Sequence, residues 1–368
     1  MPFKLEPRRE PNRTMLYASP VIAVALTALA GLLFFAALGY NGTLAIYDIL
    51  ILPVIDATHW IDLGVKAAPL VTIAIGLAIG FRANVWNIGA EGQYVMGAIA
   101  GTGVALHAGG TEGAWALPVM CLAGALGGAL WAAIPALLRA RLKVSEILTS
   151  LMLSYVAIQV LYFLVRGPWR DPEGFNFPQT RSFTDVESMP ILIDGTRLHL
   201  GIPIAVLIAM AVWVVMSRTL VGFELRVSGL APNAARYAGF REQRTVWLAL
   251  LVSGGLAGLA GIFEAAGPFG QITPNFPTGY GFTAIVVAFL GRLNPLGILI
   301  GGVVLAVSFV GGELAETSVG LPSAAIGLFQ ATLLFLLLGV DMLVWYRIRR
   351  IAPAIAPSAA PAVVRSAS

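Results

Sequence analysis

Apolar stretches of roughly twenty residues recur along the whole chain, and that repetition decides what it can fold into. The hydrocarbon core of a bilayer is about 30 Å thick and a helix rises 1.5 Å per residue, so ~20 apolar residues make one crossing. The runs predict spans near 15–38, 63–81, 85–107, 115–138, 147–165, 201–217, 245–266, 279–290, 295–312 and 322–343. The expected fold is an all-α polytopic membrane protein of about ten transmembrane helices. Charged residues make up only 11% of the chain, against ~25% in ordinary soluble domains. The first run is too long for the apolar segment of a signal peptide, and no clean small-residue cleavage site follows it. It reads as an uncleaved span.

The segments at 85–107 and 279–290 are the least regular, because Gly, Pro and polar residues interrupt them or their flanks. Broken or re-entrant helices are expected there, since irregular backbone is tolerated where it is buried in protein or lines a cavity. The layout divides the chain into a cytoplasmic N-terminal segment at 1–14, a transmembrane domain at 15–343 and a cytoplasmic tail at 344–368. From about 352 the tail is low in complexity and is expected to be disordered. With both termini in the cytoplasm, 18 of the 23 basic residues fall inside. The outer loop at 166–200 carries Asp171, Glu173, Asp185, Glu187 and Asp194. That asymmetry satisfies the positive-inside rule. The formal charge of +4 is therefore a matter of topology, and no nucleic-acid partner is implied.

Several chemistries lack the residues they need. The single cysteine, Cys121, lies in an apolar run and supports neither a disulfide framework nor a thiolate metal site. His59, His107 and His199 are far apart, so neither a metal site nor a catalytic triad is expected. No Gly-Lys dipeptide occurs anywhere, so a Walker A loop is impossible. No cofactor is called for, and an enzyme would need an acid, a base and a nucleophile in one layer, which the pattern does not offer. The Gly-x-x-x-Gly spacings at Gly76/Gly80, Gly97/Gly101, Gly124/Gly128, Gly254/Gly258 and Gly297/Gly301 read as helix-packing devices.

Two segments carry the remaining information. Residues 81–93 place Arg82, Asn84, Asn87, Glu91 and Gln93 between two spans. A cytoplasmic turn accounts for Arg82 and Asn84, but Glu91 and Gln93 lie a turn or more inside the next span, where polar groups are costly. The basic segment 218–244 contains Pro232-Asn233-Ala234-Ala235-Arg236-Tyr237, a short helix with Pro in its first turn and Gly239 after its end. Such a helix rests on anionic lipid or forms a docking surface for a cytoplasmic partner.

Taken in order, four motifs resemble one family. They are Asn87-Ile88-Gly89-Ala90-Glu91-Gly92-Gln93, Val144-Ser145-Glu146-Ile147-Leu148-Thr149-Ser150-Leu151-Met152-Leu153, the segment from Gly229 to Gly239, and Ser253-Gly254-Gly255-Leu256-Ala257-Gly258-Leu259-Ala260-Gly261. Together they resemble the permease subunits of ABC importers in the branched-chain amino acid, ribose and nucleoside permease family, and the first motif looks like the nucleoside branch. The resemblance covers about 63–340. Ser154 stands where the family usually has Asn, and Trp86 where Phe is common.

The resemblance implies two related halves, a second permease subunit, cytoplasmic ATPase subunits and an extracytoplasmic binding lipoprotein, in a bacterial inner membrane. It makes Arg226, Gly229, Pro232, Asn233, Ala234, Ala235, Arg236, Tyr237 and Gly239 the ATPase docking segment. An uncharged path with aromatic and amide groups would suit a nucleoside. Asn84, Asn87, Gln93, Gln159, Asn275, Tyr280 and Phe282 supply such groups, with Glu91 beside them. A sugar or a branched-chain amino acid is the alternative substrate. An ion-coupled secondary carrier is the alternative mechanism, for which Glu91, Glu264 and Asp341 are the few ionisable candidates.

Overall fold

The computed structural model describes residues 3–8, 13–108, 113 and 115–350. It is almost wholly helical. In chain order the helices are α1 (Arg13–Ala37), α2 (Gly42–Ile46), α3 (Leu52–Ile55), α4 (Trp60–Arg82), α5 (Ala90–Ala108), α6 (Ala116–Leu142) and α7 (Glu146–Arg166). They continue as α8 (Gly201–Arg218), α9 (Leu220–Leu230), α10 (Pro232–Tyr237), α11 (Glu242–Glu264), α12 (Tyr280–Leu290), α13 (Pro295–Ser318) and α14 (Ser323–Trp345). A ribbon of β1 (Phe3–Pro7) and β2 (Tyr346–Arg350) pairs the two ends antiparallel, with Lys4 opposite Arg349. The strand at Tyr346–Arg350 thus occupies part of the stretch read from sequence as the tail. Residues 351–368 lie outside the described residues.

Among the described residues, eight helices are long and apolar enough to cross a membrane, against the ten spans expected. The difference lies at the two irregular segments. The stretch from 85 is not helical until Ala90, and α5 follows with Glu91, Gln93 and glycines in its first turns. Helix α12 has only 11 residues, about 16 Å, roughly half a crossing. Both helices begin at breaks inside the protein, where neighbouring side chains and backbone replace the missing helical hydrogen bonds.

Helix α4 is the axis of the bundle: 89% of its apolar window is buried. Helix α11 packs beside it, and α5 and α6 pack on α11 through glycine faces. The α-carbon of Gly258 lies 2.8 Å from where a β-carbon on Gly128 would stand, and Gly97 and Gly124 also abut Gly258. Gly297 packs on Gly291, and a β-carbon on Gly301 would stand 3.2 Å from the Val287 carbonyl, so this pair closes the α12–α13 hairpin. Helix α1 packs on α14, where Ser19 donates to Asp341 (3.2 Å) and Arg292 binds the same carboxylate at 2.7 Å. Arg292 and Leu293 both adopt positive φ in the turn before α13. That pair pins the turn to α14.

The loop from 167 to 200 is braced by an ion pair within it and tied to α5 by the same arginine. Arg181 donates to both Glu187 oxygens at 2.8 Å and to the Ala105 carbonyl at 2.7 Å. Burial alone would raise the Glu187 carboxyl, but the Arg181 bonds and the Thr184 N–H hold it below the usual carboxylate range. A lowered folded-state value means the contribution is full above the usual range and is lost as pH falls through that value. Glu187→Gln is therefore expected to melt below wild type at pH 7, with the gap closing below about pH 4. Scanning calorimetry across pH checks this, and a gap that ignores pH would remove the pair as its cause.

Candidate functional site

The site is built on the break between α4 and α5. Helix α4 ends at Ala83, and Asn84 turns the chain at φ +56°. Asn87, 1% exposed, then does the work of the missing helix bonds. Its carbonyl oxygen accepts from the Gly89 N–H (3.1 Å) and from the Gln93 amide (3.0 Å). Its amide donates to the Gln93 carbonyl (2.7 Å) and to Ser253 Oγ on α11 (2.9 Å). The Trp86 N–H donates to Glu146 Oε1 at 3.1 Å, and Arg139 pairs with the same carboxylate. Trp86 itself stacks on Phe289, with centroids 6.0 Å apart. Ser154 accepts from the Gly92 N–H at 3.2 Å, and a β-carbon on Gly92 would stand 2.6 Å from the Ser154 α-carbon. The small side chain at this departure from the family pattern suits that close approach.

A second break faces the first. The chain leaves α11 through a π-helical turn at Ala265–Phe269, runs irregularly to Gly279 and re-enters as α12. Glu91 joins the two breaks. Its Oε1 accepts from the Gly279 N–H (3.0 Å) and its Oε2 from the Gly281 N–H (2.7 Å). A carboxylate at a helix N-terminus satisfies orphan donors and meets the positive end of the helix dipole. Tyr280, buried beside it, meets Phe309 edge-on at 5.5 Å, and Tyr94 stacks on Phe276 at 5.0 Å.

The candidate path residues fall into three groups. Asn87, Glu91, Gln93 and Tyr280 are buried and packed within the chain, so they hold helix ends. Asn84 lies exposed at the turn beside the α9–α10 segment. Gln159, Asn275 and Phe282 are exposed. Gln159 stands midway along α7 among the exposed Tyr155, Val156 and Phe163. Phe282 lines a cavity of about 190 Å³ with Thr278, Ser308 and Gln330. Glu146 and Ser253 join the site through these contacts and were not among the residues expected there, although both stand in the quoted motifs. The acidic residue just after Ser145 was the available signal for Glu146.

The α9–α10 segment sits directly under the first break. Gly229 lies against the Arg82 carbonyl with no room for a side chain. Ser228 Oγ is 3.4 Å from Thr245 Oγ1 on α11, and Arg226 donates to the Met216 carbonyl at 3.3 Å. Pro232 opens α10, and Gly239 closes it at φ +87°, a left-handed conformation that glycine adopts without strain. Behind α10 is a cavity of about 340 Å³ lined by Asn84, Arg139, Ala235, Arg241 and Thr245, among others. Asn233, Ala234 and Tyr237 point outward, with Tyr237 97% exposed, while Arg236 is exposed and also borders that cavity. Ala235 departs from the expected docking surface: only 4% exposed, it packs inward toward that cavity. On a two-turn helix lying on the bundle, one position in each turn must face the bundle.

Residues 61–339 match the family described as branched-chain amino acid transport system / permease component. The chain belongs to this permease family. The permease is 36% identical over 360 residues to the glucose ABC transporter permease protein of Haloferax volcanii, covering 94% of this chain and 93% of the relative. It is 29% identical to the guanosine ABC transporter permease protein of Bacillus subtilis, over 86% and 91% of the two chains. It is 28% identical to the nucleoside ABC transporter permease protein of Lactococcus lactis subsp. cremoris, over 88% and 91%. The permease is a multi-pass membrane transport component and not an enzyme.

Proposed function

We propose that this permease is one half of the membrane pore of an ABC importer. It works with a second permease subunit and cytoplasmic ATPase subunits, and takes its solute from an extracytoplasmic binding lipoprotein. Both termini and the α9–α10 segment face the cytoplasm of a bacterial inner membrane. The supporting observation is the seating of α9 and α10 on the α4–α5 break, through Gly229 against the Arg82 carbonyl. A load on α10 reaches a helix end directly. The exposed α7 face carries Gln159 at mid-span, and an amide there is costly against lipid alone. This favours a partner subunit or a solute path on that face, while Asn275 and Phe282 are exposed elsewhere on the chain.

The solute is an uncharged, hydroxyl-rich ring compound, most simply a nucleoside. A hexose is the second reading, favoured by the 36% identity to a glucose permease. Labelled guanosine uptake challenged with excess glucose separates the two. Docking is tested with Tyr237→Ala and Ala234→Trp, both at outward positions of α10. ATPase recovered with the permease should fall about tenfold at equal membrane levels, since interface anchors of this kind are worth ~1–3 kcal/mol. Unchanged recovery would remove α10 from the mechanism. Accumulation by the single chain under an ion gradient alone would instead favour a secondary carrier.

A further inference from the structure

At the end of the bundle away from the docking segment, a cavity of about 190 Å³ is walled by Asp62, Lys66, Arg197, Glu264, Phe269 and Glu313. Lys66 lies sixteen residues before Arg82 on α4, so the two ends are about 24 Å apart. Lys66 is engaged by Glu313 at 2.8 Å, and Arg197 reaches Asp62 only at 3.9 Å. Glu264 is the unsatisfied member. It is 1% exposed, and its Oε1 has no hydrogen-bond partner. A buried carboxylate oxygen without a partner is rare and costly. This one also stands where α11 gives way to the π-helical turn. Glu313 stands near the C-terminal end of α13.

The cavity therefore calls for a cation. A bare metal ion is not the fit, because among the described residues no three acidic, His or Cys side chains converge to hold one. The volume suits an ammonium or guanidinium head, and Phe269 places an aromatic side chain in the cavity wall. The mouth carries Glu313, with 58% of its side chain exposed, and Arg197, with 68%. Exposed charges at a rim steer and exchange partners readily.

We infer that this cavity receives a lysine or arginine side chain of the extracytoplasmic binding protein, which takes Glu313 at the rim and so releases Lys66 to complete Glu264 within. The inference rests on the importer reading. The incoming cation competes with Lys66 for Glu313 and leaves Lys66 free to turn to Glu264. Docking would thereby tie α4 to the end of α11.

The experiment measures affinity of the binding protein encoded with this permease for the permease in lipid nanodiscs, by biolayer interferometry. Glu264→Gln and Glu313→Gln should each weaken binding about tenfold, and Glu313→Lys more, since truncating one partner of a desolvated charge pair acts mainly on dissociation. Glu313 is exposed, so its variants test the idea even if Glu264→Gln lowers the yield. Reversing the matching lysine or arginine of the binding protein to Glu should restore binding to Glu313→Lys. Wild type that binds, with all three variants within twofold of it, would overturn this inference alone. Wild type that does not bind at all would overturn the importer reading with it.

Discussion

Gly258→Val is expected to leave almost no folded permease. Gly258 is where α11 crosses α5 and α6 at once, and its neighbours there are backbone atoms. A β-carbon at Gly258 would stand 2.9 Å from the α-carbon and the nitrogen of Gly128, with the Gly124 carbonyl closer still. A side-chain neighbour can rotate away, but two helix backbones must separate. Inserting methylenes into a packed core costs ~1–3 kcal/mol when side chains can give. Here three helices would have to part, so the loss should exceed that range. Small residues also supply most of the packing between helices in lipid, where no hydrophobic force drives them together. Gly327→Ala is the control, since nothing lies within 4 Å of the added carbon. The readout is the monodisperse fraction of a fluorescent fusion on size-exclusion chromatography. A normal peak for Gly258→Val would mean that the crossing is not as close as described.

That crossing was legible in the chain because Gly-x-x-x-Gly spacing is a local pattern. The apolar runs were legible for the same reason, and so were the two places where polar residues and glycines break them. Pro232 and Gly239 marked both ends of the short helix α10. What escaped reading depends on contacts made across long stretches of sequence. Ser253 meets Asn87 across 166 positions, and Gly281 meets Glu91 across 190. A buried amide in a sequence looks equally suited to a solute and to a helix end. Only the partners distinguish the two, and for Asn87 and Gln93 the partners are one another. The inward turn of Ala235 escaped for a related reason. Both faces of Pro232–Tyr237 carry small or polar residues, so no periodicity tells which face meets the bundle. Neither terminal segment signalled the pairing of Phe3–Pro7 with Tyr346–Arg350, because strand pairing needs a partner that lies at the other end of the chain.

Glu91→Ala is expected to stop transport and to lower the melting point of the purified permease by several degrees. Both carboxylate oxygens are used, one on the Gly279 N–H and one on the Gly281 N–H, and the side chain is fully buried. Hydrogen bonds to a charged acceptor contribute ~1.5–3 kcal/mol each, and the alanine would leave two buried donors unmet. Glu91→Gln should be milder in stability, because its carbonyl keeps one bond while its amide presents a donor to the other N–H. The functional consequence need not scale with stability. Below Glu91 the Asn87–Gln93–Ser253 network fixes the end of the first break, and the α9–α10 segment bears on that break at Arg82. Above it stands the N-terminus of α12, with Phe282 facing the cavity near Gln330. Glu91 is thus a positioning residue, whose side chain bonds the start of α5 to the start of α12. In Glu91→Gln the ATPase should still co-purify while ATP-driven uptake falls, since docking is intact and the link to α12 is weakened. Uptake and ATP hydrolysis are measured on the same proteoliposomes. Full uptake by Glu91→Gln would limit Glu91 to stability, and wild-type melting of Glu91→Ala would remove the link altogether.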